Sequence, residues 1–217
     1  MPSLSTIQHV IFDLDGVLLD TEPLYTRATQ RVIAPFGKTF EWSVKAQMMG
    51  RDALSSARHL VTVLDLPISA ETFLERKEPI LTSSFPDAPA MPGARRFVER
   101  LHQAGKTLAV ATSSSAHYFE LKTRNHPWFS VFDLIVCGDH PDVRRPKPAP
   151  DIFETVRVEL GATSNDCLVF EDSPAGAEAA VAAGMQVVAI VDPHLDKRLY
   201  PTVAKFIDHF DEMHAEL

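Results

Sequence analysis

Carboxylates stand at two places in this sequence where an apolar run has just ended. Asp13 and Asp15 follow the run Val10–Phe12, and Glu171 and Asp172 follow a second run. Carboxylates gathered at one place repel one another unless a cation lies among them. Because all of the potential ligands are oxygens, we expect that cation to be Mg²⁺.

A hydroxyl cluster and a lysine stand at comparable positions. Thr112–Ser115 follow the run Thr107–Ala111, and Lys147 lies beyond a third run, between two prolines. Hydroxyl groups, the amides of a helix N-terminus and a lysine side chain together bind anions. Each piece alone is typical of a turn, a cap or a linker, but their occurrence in this order predicts a phosphate site beside Mg²⁺.

The elements that position these residues alternate along most of the chain. Short apolar runs bounded by turn residues predict buried parallel strands, and the segments between them have helical periodicity. This alternation predicts an α/β fold, a doubly wound parallel sheet in which ligands bind at the carboxyl ends of the strands. The expected strands are Ile7–Leu14, Thr107–Ala111, Phe132–Val136, Leu168–Phe170 and Gln186–Val191.

The segment between the first two strands differs, because its apolar residues recur only at helical spacing. Leu24, Ala28 and Val32 lie at i, i+4 and i+8 on one helix face. A later helix is predicted to begin after Ser69 as its N-cap, and Pro79 is expected to kink or end it.

We therefore expect two domains. An all-α cap is predicted at 19–89, inserted into a catalytic core formed by 1–18 together with 90–217. Within the core, the tail His194–Leu217 is expected to be helical.

Composition limits the possible partners and compartment. The net charge is −8, from 21 basic and 29 acidic residues, so we expect no nucleic-acid binding. Cys137 and Cys167 lie in apolar runs and are predicted to be reduced and buried. No signal-peptide pattern and no apolar run long enough to span a membrane is present. We expect a cytoplasmic monomer that acts on a small phosphorylated metabolite, away from membranes.

Four short motifs resemble those of the haloacid dehalogenase superfamily. They are Asp13-Leu14-Asp15-Gly16, Ala111-Thr112-Ser113, Lys147-Pro148 and Glu171-Asp172. The helical insert resembles the C1-type cap of that superfamily, and nearly the whole chain resembles pseudouridine-5′-phosphatase-like proteins. The resemblance implies a Rossmann-like core and a Mg²⁺-dependent phosphatase.

The residues and the resemblance agree on a nucleophile. The carboxylate of Asp13 would attack phosphorus in line and form an aspartyl-phosphate, while Mg²⁺ offsets the charge repulsion. Asp15 lies two residues on, so its side chain points to the same side and it is a candidate acid–base group. The resemblance implies that Asp13, the backbone carbonyl of Asp15 and the carboxylate of Asp172 hold the metal. Gly16 would permit a sharp exit from the strand.

The remaining candidates would bind phosphate or substrate. We expect Thr112 and Ser113 to bind the phosphoryl oxygens and Lys147 to offset negative charge. Glu171 stands where many relatives have aspartate and would reach the metal through water.

Two candidates in the insert have an ordinary reading as well. Glu22 could contact substrate or simply favour a helix N-terminus. Arg51 could contact the leaving group of the substrate or simply be solvated.

Three other functions are compatible with parts of this pattern. A phosphomutase resembling β-phosphoglucomutase would return the phosphoryl group to a sugar instead of water. A dehalogenase would need no metal and would usually lack an acid at Asp15. A receiver-like phosphorylation switch has similar acids at a sheet edge, but it is shorter and has no cap. The leading hypothesis is a phosphatase that hydrolyses a small phosphomonoester.

Overall fold

The computed structural model describes residues 6–48, 53–192 and 195–216. The strands are β1 (His9–Phe12), β2 (Thr107–Thr112), β3 (Leu134–Cys137), β4 (Cys167–Glu171), β5 (Gln186–Ile190) and β6 (Lys205–Ile207). The helices are α1 (Glu22–Ile33), α2 (Trp42–Met48), α3 (Ala53–Val63), α4 (Ala70–Ser84), α5 (Ala94–Gln103), α6 (Ala116–Thr123), α7 (Asp151–Glu159) and α8 (Pro174–Ala182).

The strands form one parallel sheet in the order β3-β2-β1-β4-β5-β6. The central strand β1 pairs with β2 on one side and β4 on the other, with His9 opposite both Thr107 and Cys167. The predicted doubly wound parallel sheet is therefore confirmed. Parallel pairing places the ends of β1, β2 and β4, and the residues that follow them, at one edge.

Both faces of the sheet are buried, as helices on each side require. Phe12 stacks on Phe170 with ring centroids 5.1 Å apart, and Phe97 of α5 packs edge-on against Phe170 at 5.3 Å. On the other face, Ile11 and Val169 belong to a second cluster with the residues of α7 and α8. The strand ends are thus held by packing on two sides.

The chain forms two compact units, one of residues 1–20 with 89–217 and the other of residues 21–88. The bounds expected for the insert were 19–89. The chain leaves and re-enters the first unit through two paired segments: the Asp20 amide donates to the Pro89 carbonyl at 2.8 Å, and the Met91 amide donates to the Leu18 carbonyl at 2.9 Å.

The prediction of a helical tail is wrong. After a short 3-10 helix at Lys197–Leu199, the chain adds the edge strand β6, and a second 3-10 helix covers Phe210–Glu216. Phe210 and Met213 are buried. A three-residue strand is too short to produce a recognisable alternation, and its pairing with β5 is a tertiary contact.

Pro79 was expected to kink or end its helix, and it does not end it. Ser69 caps α4 as expected by accepting the Thr72 amide, but α4 then continues through Pro79 to Ser84. Proline removes the hydrogen bond to the carbonyl of Glu75. Both Pro79 and Glu75 are exposed, so water can hydrate that carbonyl in place of the lost donor.

Candidate active site

Lys147 connects the ends of three strands. Its Nζ donates to Asp13 Oδ1 after β1 at 2.6 Å, to the Ala111 carbonyl of β2 at 3.0 Å, and to Glu171 Oε1 at the end of β4 at 2.7 Å. Its side chain is 7% exposed and its charge lies over the Phe153 ring of α7. Such a buried, doubly paired lysine fixes the position of both carboxylates.

Glu171 is held from its other side by the start of α8. Its Oε2 accepts hydrogen bonds from the Ser173 amide at 2.9 Å and from Ser173 Oγ at 3.0 Å. A Cβ atom at Gly176 would lie 1.7 Å from Glu171 Oε1, so only glycine permits this approach. Glu171 is 1% exposed. Glu171 is therefore held in place and in turn positions the ammonium group of Lys147.

Asp15 lies against a second buried lysine. Nζ of Lys122, on the last turn of α6, is 2.6 Å from Asp15 Oδ1 and 2.8 Å from Oδ2. Ser114 Oγ donates to Asp15 Oδ2 at 2.9 Å and accepts a hydrogen bond from Lys122 at 2.8 Å. Lys122 is fully buried, whereas the Asp15 side chain is 30% exposed.

Asp172 lies against the turn that follows β1. Gly16 has a φ of +80°, and a Cβ there would fall 2.1 Å from Asp172 Oδ2. The Tyr200 hydroxyl donates to the Asp172 backbone carbonyl from the tail of the chain. The turn after β1 and the loop after β4 are therefore in contact.

The predicted hydroxyl cluster divides into different roles. Thr112 Oγ1 accepts the Ser114 amide at 3.1 Å, and Ser115 caps α6 by accepting the Tyr118 amide. Ser113 is exposed, and its carbonyl lies so close to Gly138 that a Cβ there would approach it to 2.5 Å. Thr112 and Ser113 thus lie at the same edge as the acids.

Burial raises the pKa values of two of these acids, Asp13 and Asp172. Burial raises the pKa of Asp13 to about 7, with Lys147 opposing the rise and Glu171 and Asp15 adding to it. Burial, followed by the charges of Glu171 and Asp13, raises the pKa of Asp172 well above its usual value. Burial alone would lower the pKa of Lys147, but the charges of Asp13 and Glu171 outweigh it and raise it.

The charges at this edge fit a divalent cation. When all four carboxylates are ionised, the two lysines leave an excess of two negative charges. The pKa values of Asp13, which is buried, and of Asp172, which is partly buried, are raised, and a bound cation would favour their ionised forms. An all-oxygen set with this charge suits Mg²⁺. Asp13 and Asp172 would supply side-chain oxygens and Asp15 its backbone carbonyl.

The raised pKa of Asp13 predicts how stability depends on pH. Between its ordinary pKa of 3.8 and about 7, the folded protein holds a proton that the unfolded chain has released. Without metal, this contribution to the free energy of unfolding is therefore full below about pH 4 and is lost as the pH rises through 7. The loss of unfolding free energy is on the order of 1 kcal/mol for each pH unit of this window.

Saturating Mg²⁺ is expected to remove this slope, because a ligated carboxylate is already ionised. Urea unfolding at several pH values between 4 and 8, in EDTA and in Mg²⁺, measures the effect. Asp13→Asn, measured in EDTA, is the control and should have a smaller slope. The same slope in EDTA and in Mg²⁺ would contradict the metal assignment.

Of the two candidates in the helical insert, the structure describes one. Glu22 is on the first turn of α1, where its Oε2 lies 2.6 Å from Lys45 Nζ. Lys77 lies over the rings of Tyr25 and Phe73, and burial lowers its pKa. Arg51 lies outside the described residues.

Sequence reasoning missed Lys122 and Tyr200. Lys122 is the buried residue of α6, yet nothing in the spacing distinguishes it from a solvated lysine on a helix. Its partner Asp15 is 107 positions away. Tyr200 belongs to the tail that was expected to be helical. Both contacts depend on the tertiary fold.

Two cysteines and one His–Asp–Glu group among the described residues could also react or bind metal. Cys137 and Cys167 are free and buried as predicted, and burial raises the pKa of each thiol to about 11. His140, Asp142 and Glu159 have ligand atoms within 4.8 Å of one another, but Asp142 and Glu159 are exposed. His140 already accepts the Asp142 amide and lies 3.3 Å from Glu159.

Comparison with known proteins defines the class of this enzyme. The model of the haloacid dehalogenase-like hydrolases matches residues 10–190. The chain belongs to this family. Membership of this hydrolase family argues against the receiver-like phosphorylation switch.

Two curated relatives match most of the chain. The Arabidopsis thaliana protein "(DL)-glycerol-3-phosphatase 1, mitochondrial" is 44% identical over 88% of this chain and 66% of its own length. The Drosophila melanogaster protein "Probable pseudouridine-5'-phosphatase" is 43% identical over 89% of this chain and 86% of its own. The chain thus spans just under two thirds of the first relative. Both relatives are named as phosphatases, and the family match makes the chain a haloacid dehalogenase-like hydrolase.

A solved structure agrees with this fold. The crystal structure of CbbY from Rhodobacter sphaeroides in complex with phosphate superposes with a TM-score of 0.77, at 25% identity, over 97% of this chain and 99% of that one. Among the described residues, no helix is both long and apolar enough to cross a membrane.

Proposed function

We propose that the protein is a Mg²⁺-dependent phosphatase that hydrolyses a small phosphomonoester through an aspartyl-phosphate on Asp13. The observation that carries the proposal is the position of Asp13 at the end of β1, where Lys147 holds one carboxylate oxygen at 2.6 Å. A buried carboxylate oriented by a fixed cation is suited to act as a nucleophile on phosphorus.

The reaction has two steps. Asp13 attacks phosphorus, the bond to the alkoxide leaving group breaks, and Asp15 gives that oxygen its proton. In the second step Asp15 takes a proton from water, the resulting hydroxide attacks phosphorus, and the bond to Asp13 breaks to restore the carboxylate. Thr112 and Ser113 bind and orient the phosphoryl oxygens, and the charge of Lys147 offsets the negative charge of phosphate and nucleophile. Mg²⁺, when bound by Asp13, Asp15 and Asp172, would offset the negative charge of nucleophile and phosphate.

The substrate class is part of the proposal. A sugar phosphate, a glycerol phosphate or a nucleoside monophosphate such as pseudouridine 5′-phosphate is the candidate. The names of the Arabidopsis and Drosophila relatives support this range. Glu22 and Arg51 remain the candidates in the insert for contact with the leaving group.

We also propose a cytoplasmic monomer that uses neither nucleic acid nor a membrane. The net charge of −8 supports the part of this proposal that concerns nucleic acid, because basic surfaces supply most of the affinity for nucleic acids. One relative is named as mitochondrial, so fractionation of cells is the direct measurement of the compartment. Sedimentation gives the oligomeric state.

Release of inorganic phosphate from a panel of phosphomonoesters, in EDTA and in Mg²⁺, tests the function. We expect release from small esters in Mg²⁺, with no sugar acceptor required, and none in EDTA. Ca²⁺ should inhibit, because it tolerates extra ligands and misplaces the attacking oxygen. Isomerised sugar phosphate with little free phosphate would favour a mutase instead. Full activity in EDTA would exclude the metal-dependent mechanism.

A further inference from the structure

The buried Lys122 has no place in the mechanism described so far. It is fully buried, and its ammonium group meets the Asp15 carboxylate, the proposed acid–base group. Burial of an ammonium group is costly unless a partner compensates it. A solvated lysine would have served as well for helix stability, because α6 places basic charge in its last turn in either case.

The contacts of Asp15 with Lys122 and Ser114 fix the orientation of its carboxylate. Lys122 Nζ bridges both oxygens of Asp15, at 2.6 and 2.8 Å. Ser114 Oγ adds a third hydrogen bond to Oδ2 at 2.9 Å and is itself held by Lys122. These three hydrogen bonds from Lys122 and Ser114 set the plane of the Asp15 carboxylate.

We propose that Lys122, together with Ser114, is a positioning residue that orients the Asp15 carboxylate for proton transfer. This inference rests on the proposed function of Asp15. Proton transfer requires the carboxylate within hydrogen-bond reach of the water or the leaving oxygen, so a rotated carboxylate loses the rate that a placed one provides. Lys122 acts through Asp15 and does not touch the substrate.

The variant Lys122→Met removes the ammonium group and keeps a side chain of similar length. It should fold, because an apolar side chain suits a fully buried position and water can hydrate Asp15, whose side chain is 30% exposed. Ser114→Ala removes only the third bond and keeps the lysine. The matched control is Lys106→Met. Lys106 donates to the Ile7 carbonyl and immediately precedes β2, at the amino-terminal ends of the strands and away from the site.

p-Nitrophenyl phosphate is the probe, because its leaving group needs little protonation and the second step then shows the effect. We expect Lys122→Met to release a burst of nitrophenol and then to have a steady-state turnover rate at least about tenfold lower than that of the unmutated protein. The loss should not exceed the ~10²–10⁴-fold that a general acid–base group contributes. Ser114→Ala should show a smaller loss at the same step, and Lys106→Met none.

A double-mutant cycle with Asp15→Asn separates positioning from a structural role. In the Asp15→Asn background, Lys122→Met should change turnover by less than about twofold, because its target is already lost. Losses that multiply, or a Lys122→Met protein as active as the unmutated one, would overturn the inference. If Lys122→Met does not fold, Ser114→Ala takes its place in the same cycle. Failure of the proposed phosphatase function would be distinguishable, because the unmutated protein would then release no phosphate.

Discussion

Asp13→Asn is expected to abolish turnover, by ~10⁴-fold or more, in a protein that is folded and no less stable than the unmutated one. Activity is lost because an amide oxygen cannot replace the carboxylate as a nucleophile. Stability is kept because Lys147 retains its second partner, Glu171, at 2.7 Å. The substitution also removes a carboxylate whose ionised form is disfavoured by burial.

Phosphate release and urea unfolding of the purified variant measure both parts of this expectation. Asp133→Asn is the matched control, because Asp133 accepts the Leu108 amide at the opposite edge of the sheet and an amide oxygen can do the same. Activity near that of the unmutated protein would remove Asp13 as the nucleophile. Loss of activity together with unfolding would mean that Glu171 alone does not compensate the buried charge of Lys147.

Lys147→Met is expected to reduce both stability and activity. It leaves Asp13 and Glu171 buried with no ammonium group between them, and breaking a buried pair in this way costs about 3–5 kcal/mol of unfolding free energy. Turnover should fall by ~10²–10³-fold, because a preorganised charge at the phosphoryl group is lost.

A compensating change separates the two effects. Glu171→Gln in the Lys147→Met background removes one of the stranded charges, while the Gln oxygen can still accept the Ser173 amide. The double variant should regain much of the unfolding free energy and none of the activity. If activity returns with stability, the role of Lys147 is structural alone.

The sequence allowed prediction of the parts of this fold that local patterns encode. The run Val10–Phe12 followed by Asp13 and Asp15 marks a buried strand with polar groups at its end, and β1 has this form. Ser69 was identifiable as a cap because hydroxyl side chains satisfy free helix amides close by in the chain. The parallel sheet followed from the alternation of elements.

The contacts that were missed join distant parts of the chain. Asp15 and Lys122 are 107 positions apart, and Tyr200 reaches Asp172 from the tail. The pattern that places Lys122 on α6 does not reveal which side of that helix faces the sheet. Glu171 was expected near the metal through water, but its contact with Lys147 depends on β1 and β4 being neighbours. Such pairings require the assembled sheet.

The paired segments at Leu18–Asp20 and Pro89–Met91 have a consequence for how the protein can change. Because the Asp20 amide donates to the Pro89 carbonyl, the chain leaves the unit that contains the sheet and returns to it at one point. Topologically, the whole insert is a loop on the sheet, and the entropy of closing a loop grows only slowly with its length. Insertions are tolerated best where the two ends already lie together. Evolution could therefore exchange the insert as a module, while the strand ends that hold Asp13 and Lys147 stay unchanged.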